Sequence, residues 1–150
     1  MTKRADGGFG CSSRDDAAPD MGLDALGGWV LDVGALVAFA RSDMFVSALV
    51  VSCRRRGQTV LICDTSLALA AQAVPEQHDR LVKLCQEPNT WLAKLAAADS
   101  DAVAALLPAA SGDIGLAHVV YEAARRGYAV LSDRRASVSA IDGSLLVEAA

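Results

Sequence analysis

The chain has 150 residues, 53% of them hydrophobic, and a formal net charge of −4 at pH 7. This length predicts one domain with a buried core of its own. No apolar run reaches the roughly 18 residues of a membrane span, and the N-terminus lacks the apolar region of a secretory signal. We therefore expect a soluble cytoplasmic protein with no membrane partner. The negative net charge disfavours nonspecific binding to nucleic acid but is compatible with a cluster of carboxylates that binds a metal.

The beginning of the chain differs in composition from the remainder. Residues 1–27 are rich in Gly, Asp, Ser and Ala and show no hydrophobic periodicity. Such a segment cannot by itself bury enough apolar surface to fold. We predict a flexible N-terminal extension at residues 1–27 and one folded domain at residues 28–150.

Five short apolar runs of the domain are predicted to be β-strands. WVLDV (29–33), TVLICD (59–64) and YAVLS (128–132) have no alternation, as in strands buried on both faces. TWLAKLAA (90–97) is interpreted as a short strand, and SLLVEA (144–149) as a last, edge strand.

Helical patterns separate these strands. Residues 34–57 are helical, with Ser42 and Asp43 dividing them into two helices and Gly57 ending the second. Further helices are predicted after the second strand, where Thr65 or Ser66 could cap the helix, and at 75–87, 99–110 and 111–127. Strands that alternate with helices in this way form a parallel sheet covered on both faces. The predicted fold class is α/β, a three-layer α/β/α sandwich with a mainly parallel central sheet.

Acidic residues stand where the predicted strands end. Asp32, Asp64 and Asp133 each close an apolar strand, and Asp113 opens a helix. Ligands of open parallel sheets bind beyond the carboxyl ends of the strands, so these carboxylates are expected to converge. Clustered carboxylates repel unless a cation is present, and Mg²⁺ takes oxygen ligands of this kind. A structural alternative stays open for two of them, because Asp113 can be a helix N-cap and Asp64 a turn or cap residue.

Three segments of residues 29–150 resemble the PIN domain family, which includes the toxin nucleases of bacterial toxin–antitoxin modules. VLDVGALVAFA is similar to the opening strand, aspartate and helix of that family. SGDIGLAHVVYEAARRG is similar to its acidic helix start, in the form common among actinobacterial members. YAVLSDRR is similar to the strand that ends in its last aspartate.

The resemblance implies a ribonuclease that depends on Mg²⁺ or Mn²⁺, with an RNA substrate. Asp32, Asp113 and Asp133 would then be the catalytic, metal-binding carboxylates. A metal held in this way can lower the pKa of a bound water for attack on a phosphodiester. The family also implies a homodimer and an antitoxin protein that binds across the acidic site.

One position departs from the family pattern. The family usually has a glutamate in the helix after the second strand, and the matching position here is Leu69. Asp64 could supply the missing carboxylate. The second hypothesis is therefore a catalytically degenerate PIN-like domain that acts as a protein- or RNA-interaction module. A third, a receiver-like signalling domain, is disfavoured because the third strand does not end in an aspartate.

The remaining basic and apolar features have weaker functional signals. Arg134 and Arg135 follow Asp133 and could contact an RNA backbone, whereas the runs at 54–56 and 125–126 suit helix C-termini. His118 is expected to pack or hydrogen-bond inside the protein. The stretch at 44–51 is apolar almost all round, which favours burial or coverage by a partner.

Overall fold

The computed structural model describes residues 27–150, so all of the predicted extension except its last residue lies outside the described part of the chain. The described residues form five β-strands and seven α-helices. The strands are β1 (Gly28–Leu31), β2 (Thr59–Cys63), β3 (Thr90–Ala93), β4 (Ala129–Ser132) and β5 (Val147–Ala149). The helices are α1 (Val33–Ala40), α2 (Met44–Arg56), α3 (Asp64–Ala73), α4 (His78–Cys85), α5 (Ser100–Leu106), α6 (Ile114–Arg126) and α7 (Arg135–Ile141).

The strands form one parallel sheet in the order β3-β2-β1-β4-β5. Val30 of the central strand is in register with Leu61 on one side and with Val130 on the other. The order of the strands reverses at β1, because the chain goes first to β2 and β3 and later to β4 and β5. Ligand crevices of doubly wound sheets lie at this reversal, beyond the carboxyl end of the strands. Asp32 follows β1 at that point.

Both faces of the sheet are covered, which confirms the predicted three-layer α/β/α sandwich. Side chains of successive strand residues point to opposite faces. Trp29 and Leu31 pack with helices α1 to α4, and Val30 packs with α5 to α7. Each of these three residues is at most 1% exposed, which explains why the strand sequences lack alternation.

The break between the first two helices lies where the sequence predicted it. Asp43 caps α2 by accepting a hydrogen bond from the backbone N–H of Val46, at 3.0 Å. Ser42 adopts a positive φ of 64°, and Gly57 ends α2 with a φ of 70°, a left-handed conformation that favours glycine. Within residues 27–150, no single helix is both long enough and apolar enough to span a membrane. Helices α1 and α2 reach that length and hydropathy only when taken together, and the angle between them at the break is 100°.

Two helical features differ from the sequence prediction. Helix α3 begins at Asp64, directly after β2, and has no side-chain cap, so the predicted cap at Thr65 or Ser66 is wrong. The hydroxyl of Thr65 instead forms a 2.8 Å hydrogen bond with Nδ1 of His118. Helix α7 was not predicted; its one buried residue, Val138, packs in the second core and leaves no periodic pattern in so short a helix.

Candidate functional site at the carboxyl edge of the sheet

Asp32 is a fully buried carboxylate at the junction of β1 and α1. Its Oδ1 accepts a hydrogen bond from the backbone N–H of Val33 at 2.8 Å, which makes it the N-cap of α1. Its Oδ2 accepts a hydrogen bond from Oγ of Ser132 at 2.7 Å. A buried carboxylate is stable only when such donors and a compensating positive charge surround it.

Arg134 supplies that positive charge. Its Nη2 lies 3.1 Å from each carboxylate oxygen of Asp32, and its Nε lies 3.3 Å from Oδ2. Its Nη1 donates to Oδ2 of Asp113 at 2.5 Å. The backbone N–H of Arg134 also donates to Oγ of Ser132, at 2.9 Å. One guanidinium therefore bridges two of the three predicted metal ligands.

Asp113 has two roles in this arrangement. Its Oδ1 accepts a hydrogen bond from the backbone N–H of Leu116 at 3.0 Å, so it caps α6 as the structural alternative proposed. Burial alone would raise the pKa of Asp113, but the hydrogen bond from Arg134 and the cap bond hold it below its ordinary value. Burial likewise opposes ionisation of Arg134, whose pKa is nevertheless raised by its bonds to Asp113 and Asp32.

Asp133 lies at the same edge but has a different environment. Its side chain is exposed, and its carboxylate rests against the backbone of Gly34 in the first turn of α1. A Cβ added at Gly34 would overlap that carboxylate, so a larger residue there would make the exposed side chain of Asp133 move. The N-terminal turn of a helix attracts negative charge, so the position beside the start of α1 is electrostatically favourable for Asp133.

Asp64 and Arg135 do not take part in the bridge that Arg134 forms between Asp32 and Asp113. The carboxylate of Asp64 accepts a long hydrogen bond, 3.3 Å, from the backbone N–H of Leu95, which follows β3. It also lies 3.8 Å from Nδ1 of His118. Arg135 is exposed on the first turn of α7. Of the two arginines predicted to contact RNA, therefore, one is in ion pairs and the other is on the surface.

A pocket of about 680 Å³ opens beside the Arg134 bridge. Its floor includes apolar residues of α1, and Leu69 of α3 forms part of the wall. Asp113, Asp133 and Arg134 line the same pocket, and Arg134 links Asp113 to the buried Asp32. Asp64, the fourth carboxylate expected to converge here, does not line the pocket. Leu69 is 41% exposed, so the position expected to carry a glutamate presents an apolar side chain to the pocket. The pocket is lined by Val33, Gly34, Val37, Ala38, Arg41, Asp43, Leu69, Asp113, Asp133, Arg134 and Ala150.

A second polar group lies inside the protein between α3 and α6. His118 is fully buried, as predicted, and its Nε2 lies 3.6 Å from Oε2 of Glu122. Glu122 is 1% exposed and accepts a hydrogen bond from Nε of Arg126 at 2.9 Å. Sequence reasoning missed Glu122, although its position four residues after His118 placed both on one helix face.

The residues at the edge do not fit the metal that the resemblance implies. Within residues 27–150, no group of three or more His, Cys, Asp or Glu side chains is arranged to hold a metal ion. Both oxygens of Asp32 already accept hydrogen bonds from Arg134 and from a second donor, Val33 for Oδ1 and Ser132 for Oδ2. Mg²⁺ and Mn²⁺ need carboxylate oxygens with free lone pairs facing a common centre, and here a guanidinium occupies that centre.

Comparison of the sequence with models of known protein families and with curated proteins gives no match. The resemblance to the PIN family therefore stays a prediction that depends on the three motifs.

We expect Arg134→Ala to destabilise the protein by about 3 kcal/mol, because it leaves the buried carboxylate of Asp32 without its positive partner. Urea denaturation at pH 7 measures the loss. The neighbouring substitution Arg135→Ala removes the same charge from the surface and should cost no more than about 0.5 kcal/mol. Equal effects of the two substitutions would contradict the structural importance of the bridge.

The lowered pKa of Asp113 predicts a dependence of stability on acid pH. A carboxyl whose pKa is lower in the folded state stabilises that state above its unfolded pKa, near 3.8, and the contribution is lost as pH falls through the folded pKa. Asp113→Asn should flatten the decline of the unfolding free energy below about pH 4. Arg134→Gln should flatten it similarly, since it removes a main cause of the shift. Unchanged slopes in both variants, measured by urea titrations from pH 2 to 6, would contradict this assignment.

Proposed function

We propose that this chain is a PIN-like domain that binds a protein segment at the carboxyl edge of its sheet and does not cleave RNA. The observation that carries the proposal is the guanidinium of Arg134, which bridges Asp32 and Asp113. It corresponds to the second hypothesis from the sequence, a catalytically degenerate member that acts as an interaction module.

Charge balance supports the absence of a resident metal. The carboxylates of Asp32 and Asp113 carry two negative charges, and Arg134 neutralises one while donating hydrogen bonds to both. A divalent cation would have to displace Arg134 and leave its guanidinium, now only 32% exposed, without those partners. Leu69 adds no carboxylate that would favour the exchange.

The shape of the pocket supports a peptide ligand. Its volume of about 680 Å³ lies in the range of sites that bury small ligands or side chains. Val37 and Leu69 give it apolar walls, while Arg41 and Asp133 are charged groups on the lining. An apolar side chain of a partner could enter the pocket, while the backbone and charged groups of the partner contact Arg41 and Asp133. This is also the edge at which, by resemblance, toxins of the family receive an antitoxin peptide.

RNA is the less favoured ligand of this edge. Binding to a phosphate backbone requires several arginine or lysine side chains that are available to phosphates. The donors of Arg134 are directed to Asp32 and Asp113 and are therefore engaged. Arg41 and Arg135 are exposed basic residues near this edge. The carboxylates of Asp113 and Asp133 in the same pocket would repel phosphates. The ribonuclease hypothesis stays a prediction, favoured by the convergence of those two carboxylates.

Metal addition separates the two hypotheses. A cation present at about 100 times its dissociation constant would stabilise the folded state by about 2.7 kcal/mol, and each kcal/mol raises the Tm of a domain this size by roughly 2–4 °C. We expect millimolar Mn²⁺ or Mg²⁺ to leave the Tm unchanged and a structured RNA pool uncut. A metal-dependent rise in Tm together with RNA cleavage, both lost in Asp113→Asn, would establish the ribonuclease instead.

Peptide binding is tested by selecting a random peptide phage library on the immobilised full chain. We expect enriched peptides that share an apolar anchor and whose affinity falls at least tenfold in Leu69→Lys, because that substitution places a charge in the pocket wall. Val82→Lys is the matched control, since Val82 is 39% exposed on α4 and outside the pocket. Failure to enrich any sequence, or equal loss in both variants, would contradict a peptide site at this edge.

A further inference from the structure

Helix α2 exposes an apolar stripe that the fold does not cover. Met44 is 85% exposed and Val51 is 40% exposed, and Ala48 lies exposed between them. The spacing of four and then three residues places all three on one face of the helix. Phe45, beside Met44, is 51% exposed and widens the apolar surface at the start of the helix.

The other end of the same helix face is basic. A groove of about 500 Å³ runs along α2 and is lined by Ala48 and Val51 in its apolar part and by Arg55 and Arg56 at its end. These two arginines belong to the last turn of α2 together with Arg54, which lies outside the groove and forms a 2.9 Å salt bridge with Glu87. The surface therefore pairs an apolar half with a positively charged half over about 20 Å, the length of a 13-residue helix. A ligand that fits it carries apolar side chains and negative charge.

The first described residue, Gly27, lies close to the basic end of α2 in the fold, so the preceding residues join the domain there. The backbone carbonyl of Gly27 accepts a hydrogen bond from the N–H of Thr59 at 3.0 Å, and Gly28 is in register with Thr59. Thr59 follows the end of α2 by only three residues. Twelve residues of extended chain reach about 40 Å, twice the length of α2, so residues 15–26 can reach every part of its exposed face.

The composition of residues 15–26 is complementary to that face. The segment reads DDAAPDMGLDAL, with four aspartates and no lysine or arginine. Met21, Leu23 and Leu26 supply apolar side chains among these charges. The segment cannot form a core by itself, but α2 offers the apolar surface that it lacks.

We propose that residues 15–26 bind back onto the exposed face of α2, with Met21, Leu23 and Leu26 against the apolar stripe and Asp24, the aspartate nearest to Gly27 along the chain, towards Arg55 in the last turn. Contact of apolar side chains removes the stripe from water. The connection at Gly27 sets the direction of the segment along α2, and the opposite charges of Asp24 and Arg55 add to the attraction. This inference does not depend on the proposed function at the carboxyl edge.

Hydrogen–deuterium exchange of the full chain tests the proposal. We expect the amides of residues 16–26 to exchange at least tenfold more slowly than in a free peptide of the same sequence. Val51→Asp, which places a carboxylate in the stripe, should return them to the free-peptide rate. Val82→Asp is the matched control, because Val82 is equally exposed, at 39%, but lies on α4. Raising the salt to 1 M should reduce the protection, since it screens the exposed charges.

Two results would overturn the proposal. One is exchange of residues 16–26 at the free-peptide rate in the wild-type chain, or equal loss of protection in Val51→Asp and Val82→Asp. The other is a second copy of the chain on this face. Sedimentation would then show a concentration-dependent dimer that Val51→Asp abolishes, while residues 16–26 exchange freely.

Discussion

The ion pair between Arg134 and Asp32 connects the parts of the chain on which the carboxyl edge depends. Asp32 is buried where the strand order reverses, and there its carboxylate both caps α1 and needs a cation. Arg134, which follows β4, supplies that cation and also holds Asp113 at the start of α6. Three segments more than 20 residues apart are therefore joined by one guanidinium, whose planar set of donors can serve two carboxylates at once.

The same pair connects the fold with the proposed function. In a metal-dependent nuclease, an exchangeable cation compensates the acidic edge and takes part in the chemistry. Here the cation is the guanidinium of Arg134, which is covalently part of the chain and neutralises one of the two negative charges of Asp32 and Asp113. The pocket beside these carboxylates lies at the carboxyl ends of the strands, where a metal site would be expected, but Leu69 makes part of its wall apolar. These features are the basis for the proposal that the pocket holds a side chain of a partner.

Much of the fold could be predicted because its signals are local. The apolar strands, the cap at Asp43 and the glycine stop at Gly57 each depend on a few adjacent residues, and the structure confirms them. The cap expected at Thr65 was wrong because its hydroxyl bonds to His118, 53 residues away. Helix α7 was missed because a seven-residue helix with one buried side chain has no period to detect.

For this protein, the sequence alone determined the α/β class, the positions of the strands and the placement of Asp32, Asp113 and Asp133 at one edge, because hydrophobic patterning and the rules of parallel sheets dictate all three. The same rules also put Asp64 in this group, but its carboxylate contacts the backbone of Leu95 instead. Only the tertiary structure decided what those carboxylates contact. Arg134 was interpreted as a candidate RNA contact from its place in the chain, yet it points inward to two carboxylates. The direction of a long side chain depends on neighbours that are distant in sequence. Because a buried charge without a partner is very unfavourable, Asp32 and Asp113 determine which way the side chain of Arg134 points.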